Sequence, residues 1–166
     1  MTDLFPPGKG GGKDVAYGFK GKGVLIHLLV DANGMPLAGS VTAANGNERT
    51  EAIENVRSVH VAGNVGRPKG APRRIAADKG YDSKALRDLL RRMGIQPEIK
   101  RRKWKGKKKR GCPLTEKVDR YVVERTFSWL QRKFRRLVVR WERTSELFTT
   151  FVMLGLAMLW FERILG

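Results

Sequence analysis

Two carboxylates stand out in a chain otherwise crowded with cations. Asp78 closes the apolar run inside "RRIAADKGYDSKALRDLL" (73–90), and Glu124 lies within "DRYVVERTFSWLQRKFRR" (119–136). Carboxylate oxygens are hard ligands that suit Mg²⁺ or Mn²⁺. Two such ions, about 4 Å apart, can activate a water or a 3′-hydroxyl and stabilise the leaving oxygen in phosphodiester chemistry. An Asp at a strand end and a Glu on a helix flank can converge, because helices pack across sheets. Each residue also has a plainer reading. Asp78 could be a turn residue, since Asp is favoured where a strand gives way to a loop. Glu124 could pair on the surface with Arg125. His27, inside an apolar strand, and His60 read as structural imidazoles rather than ligands.

The elements that must position these groups follow from local pattern. Residues 6–23, with Pro6-Pro7 and Gly10-Gly11-Gly12, read as a loop. "GVLIHLLVDANGMPLAGSVT" (23–42) holds two apolar runs around Asn33-Gly34, a tight-turn pair, and predicts an antiparallel hairpin. The first run is apolar on both faces, as for a strand covered on both sides. "NERTEAIENVRSV" (47–59) predicts a helix, 63–74 a Gly/Pro loop and 74–78 a strand. Asp82 or Ser83 can cap the next helix, where Ala85, Leu86, Leu89, Leu90 and Met93 fall at helical spacing before Gly94. Residues 95–99 read as a short strand and about 115–139 as a helix with Val123, Thr126, Leu130, Phe134 and Leu137 on one face. Arg120, Glu124 and Gln131 fall within about 40° of one another along its border. Trp129, beside the apolar face, reads as core. The expected fold class is α/β, a mixed sheet flanked by helices, in a single domain over 1–166.

Charge narrows the function. The chain carries 34 basic and 16 acidic residues, a net charge of +18 with a pI near 10.7. That excess calls for a polyanion, with nucleic acid first and acidic membrane surfaces second. Residues 100–110, "KRRKWKGKKKR", concentrate nine basic residues around Trp104 in a basic loop spanning 100–114. A solvated charge run is the plain account; a dense run with a stacking aromatic fits nucleic acid better. A single cysteine, Cys112, excludes an internal disulfide and fits a reducing cytoplasm. No secretory leader is expected in "MTDLFPPGKGGGK". The apolar run 147–161 falls short of the roughly 20 residues of a membrane span. The expected role for 144–166 is therefore a buried or partner-packed apolar helix, in a cytoplasmic protein with no membrane partner.

"AADKGYDSKALRDLLRRMGIQPEI" followed by "DRYVVERTFSWLQRKFRRLVVRWER" resembles the C-terminal half of bacterial insertion-sequence transposases of the DDE type. "KGKGVLIHLLVDANGMPLAGSVTAANGNE" is similar to their hairpin segment. The resemblance covers nearly the whole chain. It implies a ribonuclease-H-like fold and a metal-dependent DNA strand-transfer enzyme using Mg²⁺ or Mn²⁺, two ions in all. The family's second catalytic Asp opens its Asp-Lys-Gly-Tyr-Asp segment, which maps to Asp78. Its catalytic Glu lies in a Tyr-x2-Arg-x3-Glu-x6-Lys pattern, where Arg120 and Glu124 match. Lys117 stands at the Tyr position and Gln131 at the Lys position, with Arg132 adjacent. The first catalytic Asp maps to Thr2 when aligned without gaps from the Gly/Lys loop. Asp3 is one residue late, which in a strand is a change of face. It would serve if a bulge or a frayed start re-aimed it. The first strand is expected to be truncated.

On this reading Arg101, Arg102, Lys103, Lys107, Lys108, Lys109 and Arg132 would hold DNA phosphates, and Arg120 would position Glu124 or a phosphate. The implied partner is double-stranded DNA, at transposon ends and at the target, near the bacterial nucleoid. An upstream-frame product joined by frameshifting, or a homo-oligomer, would complete the enzyme. The competing reading is a catalytically inactive truncated transposase acting only in DNA binding or regulation. A basic RNA-binding structural protein is a third.

Overall fold

The computed structural model describes residues 1–60, 72–101 and 121–166. The strands are β1 (Thr2–Leu4), β2 (Ala16–Gly18), β3 (Gly21–Val30), β4 (Pro36–Ala43), β5 (Arg74–Ala77) and β6 (Gln96–Ile99). The helices are α1 (Glu48–Ser58), α2 (Lys84–Arg92), α3 (Tyr121–Lys133) and α4 (Ser145–Leu165). β3 pairs antiparallel with β1, β2 and β4, while β5 and β6 pair in parallel. The Met1 nitrogen donates to the Ala76 carbonyl and ties β1 to β5, joining the two sheets. The architecture is a mixed α/β fold.

Val24 to Leu29 are buried throughout, because β3 is covered on both faces. Val24, Ile26 and Leu28 join Val123, Phe127, Leu130, Phe148 and Val152 in the core beneath α3 and α4. Leu29 instead joins Ala52, Val56, Ile75, Leu86 and Leu90 beneath α1 and α2. This two-residue alternation sorts the chain into two cores separated by one sheet.

The β3–β4 turn departs from the expected two-residue form. Only Gly34 takes a positive φ (89°) there. The Asp31 carboxylate accepts from the Asn33 and Met35 amides and closes the loop in place of a second positive φ. Ser83, rather than Asp82, caps α2 by accepting from the Leu86 amide.

The helix expected over 115–139 ends earlier, at Lys133, and Arg135–Leu137 form a 3-10 turn. That turn drops Leu137 into the core against Gly155 of α4, where an added Cβ would lie 3.2 Å from the Leu137 Cδ1. α4 is also less covered than expected. Phe148, Val152, Gly155, Leu156 and Leu159 are buried, yet Leu154, Met158, Phe161, Ile164 and Leu165 are exposed. At 21 residues it is long and apolar enough, by length and composition alone, to cross a membrane. Its packed stripe against β4 and α3 is what a core helix also shows.

Candidate functional site

The Asp78 segment is rigidly built. β5 ends at Ala77, and the Tyr81 amide donates to the Asp78 carbonyl at 3.1 Å, closing a 3-10 turn. Tyr81 is fully buried and anchors that turn in the core. Asp82 is gripped by the Arg87 guanidinium at 2.8 and 3.1 Å, and Arg87 also donates to the Ile99 carbonyl at 2.7 Å. Asp78 thus leaves the strand on a fixed scaffold, at the edge where β1 meets β5.

Asp3 lies in the middle of β1 with His27 as its cross-strand partner, while Thr2 and Leu4 stand opposite Leu28 and Ile26. Alternation therefore turns Asp3 toward the α1 face and Leu4 toward the α3 face, where Leu4 packs in the core. A polar layer runs along that α1 face. His27 bonds the Thr42 hydroxyl at 2.8 Å, Ser40 donates to Glu51 at 3.0 Å, and Asn55 donates to Ser40 at 3.0 Å. His27 is the structural imidazole expected, though its Nδ1 is buried without a partner. Burial lowers its pKa, against the pull of Asp3 and Glu51.

Glu48, in the first turn of α1, completes this group. Its carboxylate lies over the glycine of the Asp78 turn, where a Cβ added to Gly80 would sit 2.9 Å from Oε2. Burial and then the Asp3 charge raise its pKa; Lys20 and Arg49 oppose this, and Asp78 adds to it. The Tyr81 hydroxyl, buried and without a hydrogen-bond partner, feels the same charges. Burial, followed by Asp3, Glu48, Asp78 and Glu51, pushes its pKa far up, so it stays a protonated donor. Asp3, Glu48 and Asp78 thus form one electrostatic cluster around a buried hydroxyl. Sequence reasoning missed Glu48 because an acid in a first turn reads as a partner for the helix dipole. The available signal was its place at the start of the helix that follows the hairpin.

Glu124 is exposed in the first turn of α3, whose Val123 and Phe127 pack in the core. The suggested pair with Arg125 does not form. Arg125 donates to the Asn33 carbonyl at 2.8 Å and lies over the rings of Trp129 (4.9 Å) and Tyr121 (5.7 Å). Thr126 donates to the Gly34 carbonyl at 2.6 Å, so α3 is tethered to the β3–β4 turn. Trp129 is half-buried against the core with Arg125 on its ring.

Of the basic residues, Arg101 is exposed beside a cleft of about 440 Å³ that Asp82, Lys84 and Asp88 also line. Arg132 is exposed near the end of α3. Arg102, Lys103, Lys107, Lys108, Lys109 and Arg120 lie outside the described residues, as do Trp104, Cys112 and Lys117.

Residues 5–160 match the Transposase DDE domain family. The chain belongs to the DDE transposase family. Over 130 residues it is 40% identical to a Burkholderia cepacia protein named as putative transposase for insertion sequence element IS402, covering 78% of this chain and 58% of that protein. It is 34% identical over 122 residues to the transposase for insertion sequence element IS1106 of Neisseria meningitidis serogroup B, covering 68% of this chain and 37% of the relative. In both cases the match spans only part of the relative's own length. No solved structure matches the chain.

DDE transposases imply a divalent metal. The donor chemistry of the cluster fits one, since its carboxylates are hard oxygen ligands around an unpartnered buried hydroxyl. Among the described residues, no three His, Cys, Asp or Glu side chains stand close enough to hold one ion as placed.

Proposed function

We propose that this DDE transposase domain cuts and joins DNA at transposon ends with divalent metal ions, Mg²⁺ or Mn²⁺, two per site. The observation that carries the reading is the match of residues 5–160 to the Transposase DDE domain family. The action of Asp3 and Asp78 on Glu48 and Tyr81 supports taking these two acids as neighbours. The strand pattern supports a ribonuclease-H-like arrangement: antiparallel strands, a covering helix, then a parallel pair beside β1.

Asp3 and Asp78 would hold the metal, with Glu48 beside them and Glu124 as the family's third carboxylate. A divalent ion held there would supply activation of a water or 3′-hydroxyl and neutralisation of charge on the leaving oxygen. The chain's own residues do the rest. Arg87 fixes the Asp82 end of the segment, and Tyr81 supplies a donor that does not ionise. Arg101, Arg102, Lys103, Lys107, Lys108, Lys109, Arg120 and Arg132 would contact double-stranded DNA through its phosphates.

The test is nicking of supercoiled plasmid by the parent and by Asp3→Asn, Asp78→Ala, Glu48→Gln and Glu124→Ala, alongside calorimetric Mn²⁺ binding. Metal-dependent nicking that falls at least about 100-fold in Asp3→Asn and Asp78→Ala is expected. Comparing Glu48→Gln with Glu124→Ala identifies the third carboxylate. DNA bound but never cut, with all variants like the parent, would instead establish a binding-only domain. The mismatched Gln131 favours that second reading.

A further inference from the structure

β2 and β3 form a tight hairpin in which Gly18 pairs with Gly21, leaving Phe19 and Lys20 as the two-residue tip. Gly21, just after the tip, takes a positive φ of 119°, a conformation that favours glycine. Phe19 is wholly exposed and Tyr17, two residues earlier, is 76% exposed. Lys22 stands opposite Tyr17 with its ammonium 5.9 Å from the ring centroid. The hairpin is nonetheless anchored, since a Cβ on Gly18 would fall 2.3 Å from the Ala44 carbonyl oxygen. The loop before it is pinned where Arg140 donates to the Lys13 carbonyl at 2.8 Å.

A single exposed aromatic is ordinary. Two aromatics interleaved with lysines on an anchored tip have the composition of a platform for single-stranded nucleic acid. Lysines there match phosphates in charge, and ring faces accept any base. We propose that the β2–β3 tip grips one DNA strand. Phe19 and Tyr17 stack on unpaired bases, and Lys20 and Lys22 take the adjoining phosphates. The inference rests on the reading of this domain as DNA-acting, and it adds which residues hold a single strand.

The test uses the full chain and fluorescence anisotropy with a labelled single-stranded oligonucleotide and the corresponding duplex. Phe19→Ala and Tyr17→Ala should each lose about 5- to 100-fold affinity for the single strand, with much less change for the duplex. Lys20→Gln and Lys22→Gln should each lower the single-strand salt slope by about 0.7. A 2-aminopurine base in the strand should be quenched by the parent and not by Phe19→Ala. These side chains are exposed, so unfolding temperature should be unchanged. Aromatic variants that bind the single strand like the parent, or that lose strand and duplex equally, overturn the stacking role. A parent that binds neither DNA overturns the DNA-acting reading itself, and the platform with it.

Discussion

At the scale of single residues, a one-position shift decides which side of the sheet a carboxylate serves. Asp3 pairs with His27 and Thr2 with Leu28, so alternation gives Asp3 to the α1 face. The Asp3 charge there acts on Glu48 and Tyr81. The cost of collecting acids there is visible in Glu48, whose pKa is raised from 4.5 by burial and by Asp3. A carboxyl with a raised folded-state pKa favours folding only while protonated. Its contribution is full below the unfolded value and is lost as pH rises through the folded value. Glu48→Gln should accordingly unfold at a higher temperature than the parent at pH 7 and lose that advantage by pH 4. Thermal denaturation by circular dichroism at the two pH values checks this.

At the scale of elements, small residues and tethers hold the helices at working distance. Gly155 lets α4 approach the end of α3, where Leu130, Phe134 and Leu137 crowd within 3.4 Å of an added Cβ. Gly155→Leu should wedge α4 outward and destabilise by about 1–3 kcal/mol, read as a lower chemical-denaturation midpoint. The same packing explains why α3 stops at Lys133: the chain tightens into Arg135–Leu137 to bury Leu137. Helical periodicity through Leu137 was legible in the sequence, because a 3-10 turn and an α-turn place apolar residues at similar spacing. The break was not, since it is set by the partner helix.

At the scale of the whole molecule, charge and apolar exposure face outward together. With a net charge of +18, affinity for duplex DNA should fall steeply with salt. Log affinity should decline linearly with log salt, and replacing Arg101 or Arg132 by Gln should reduce the slope by about 0.9 for each phosphate no longer neutralised. Equal slopes in parent and variants would remove those arginines from the interface. The exposed stripe of α4, from Leu154 to Leu165, shows that an all-round apolar helix need not be buried all round.

Local chemistry wrote much of this protein directly. The hairpin, α1, α2, the short strands and the Asp78 segment follow from periodicity, Ser and Asn caps and glycine turns, because those signals act within a few residues. Charge pointed to a polyanion, and the DDE resemblance named Asp78 and Glu124. Tertiary structure alone decided which acids meet. The pairing of β1 with β3 aims Asp3, and the docking of α1 brings Glu48 over Gly80. Which charges share a site depends on contacts between residues far apart in the chain, and no spacing along the chain encodes them.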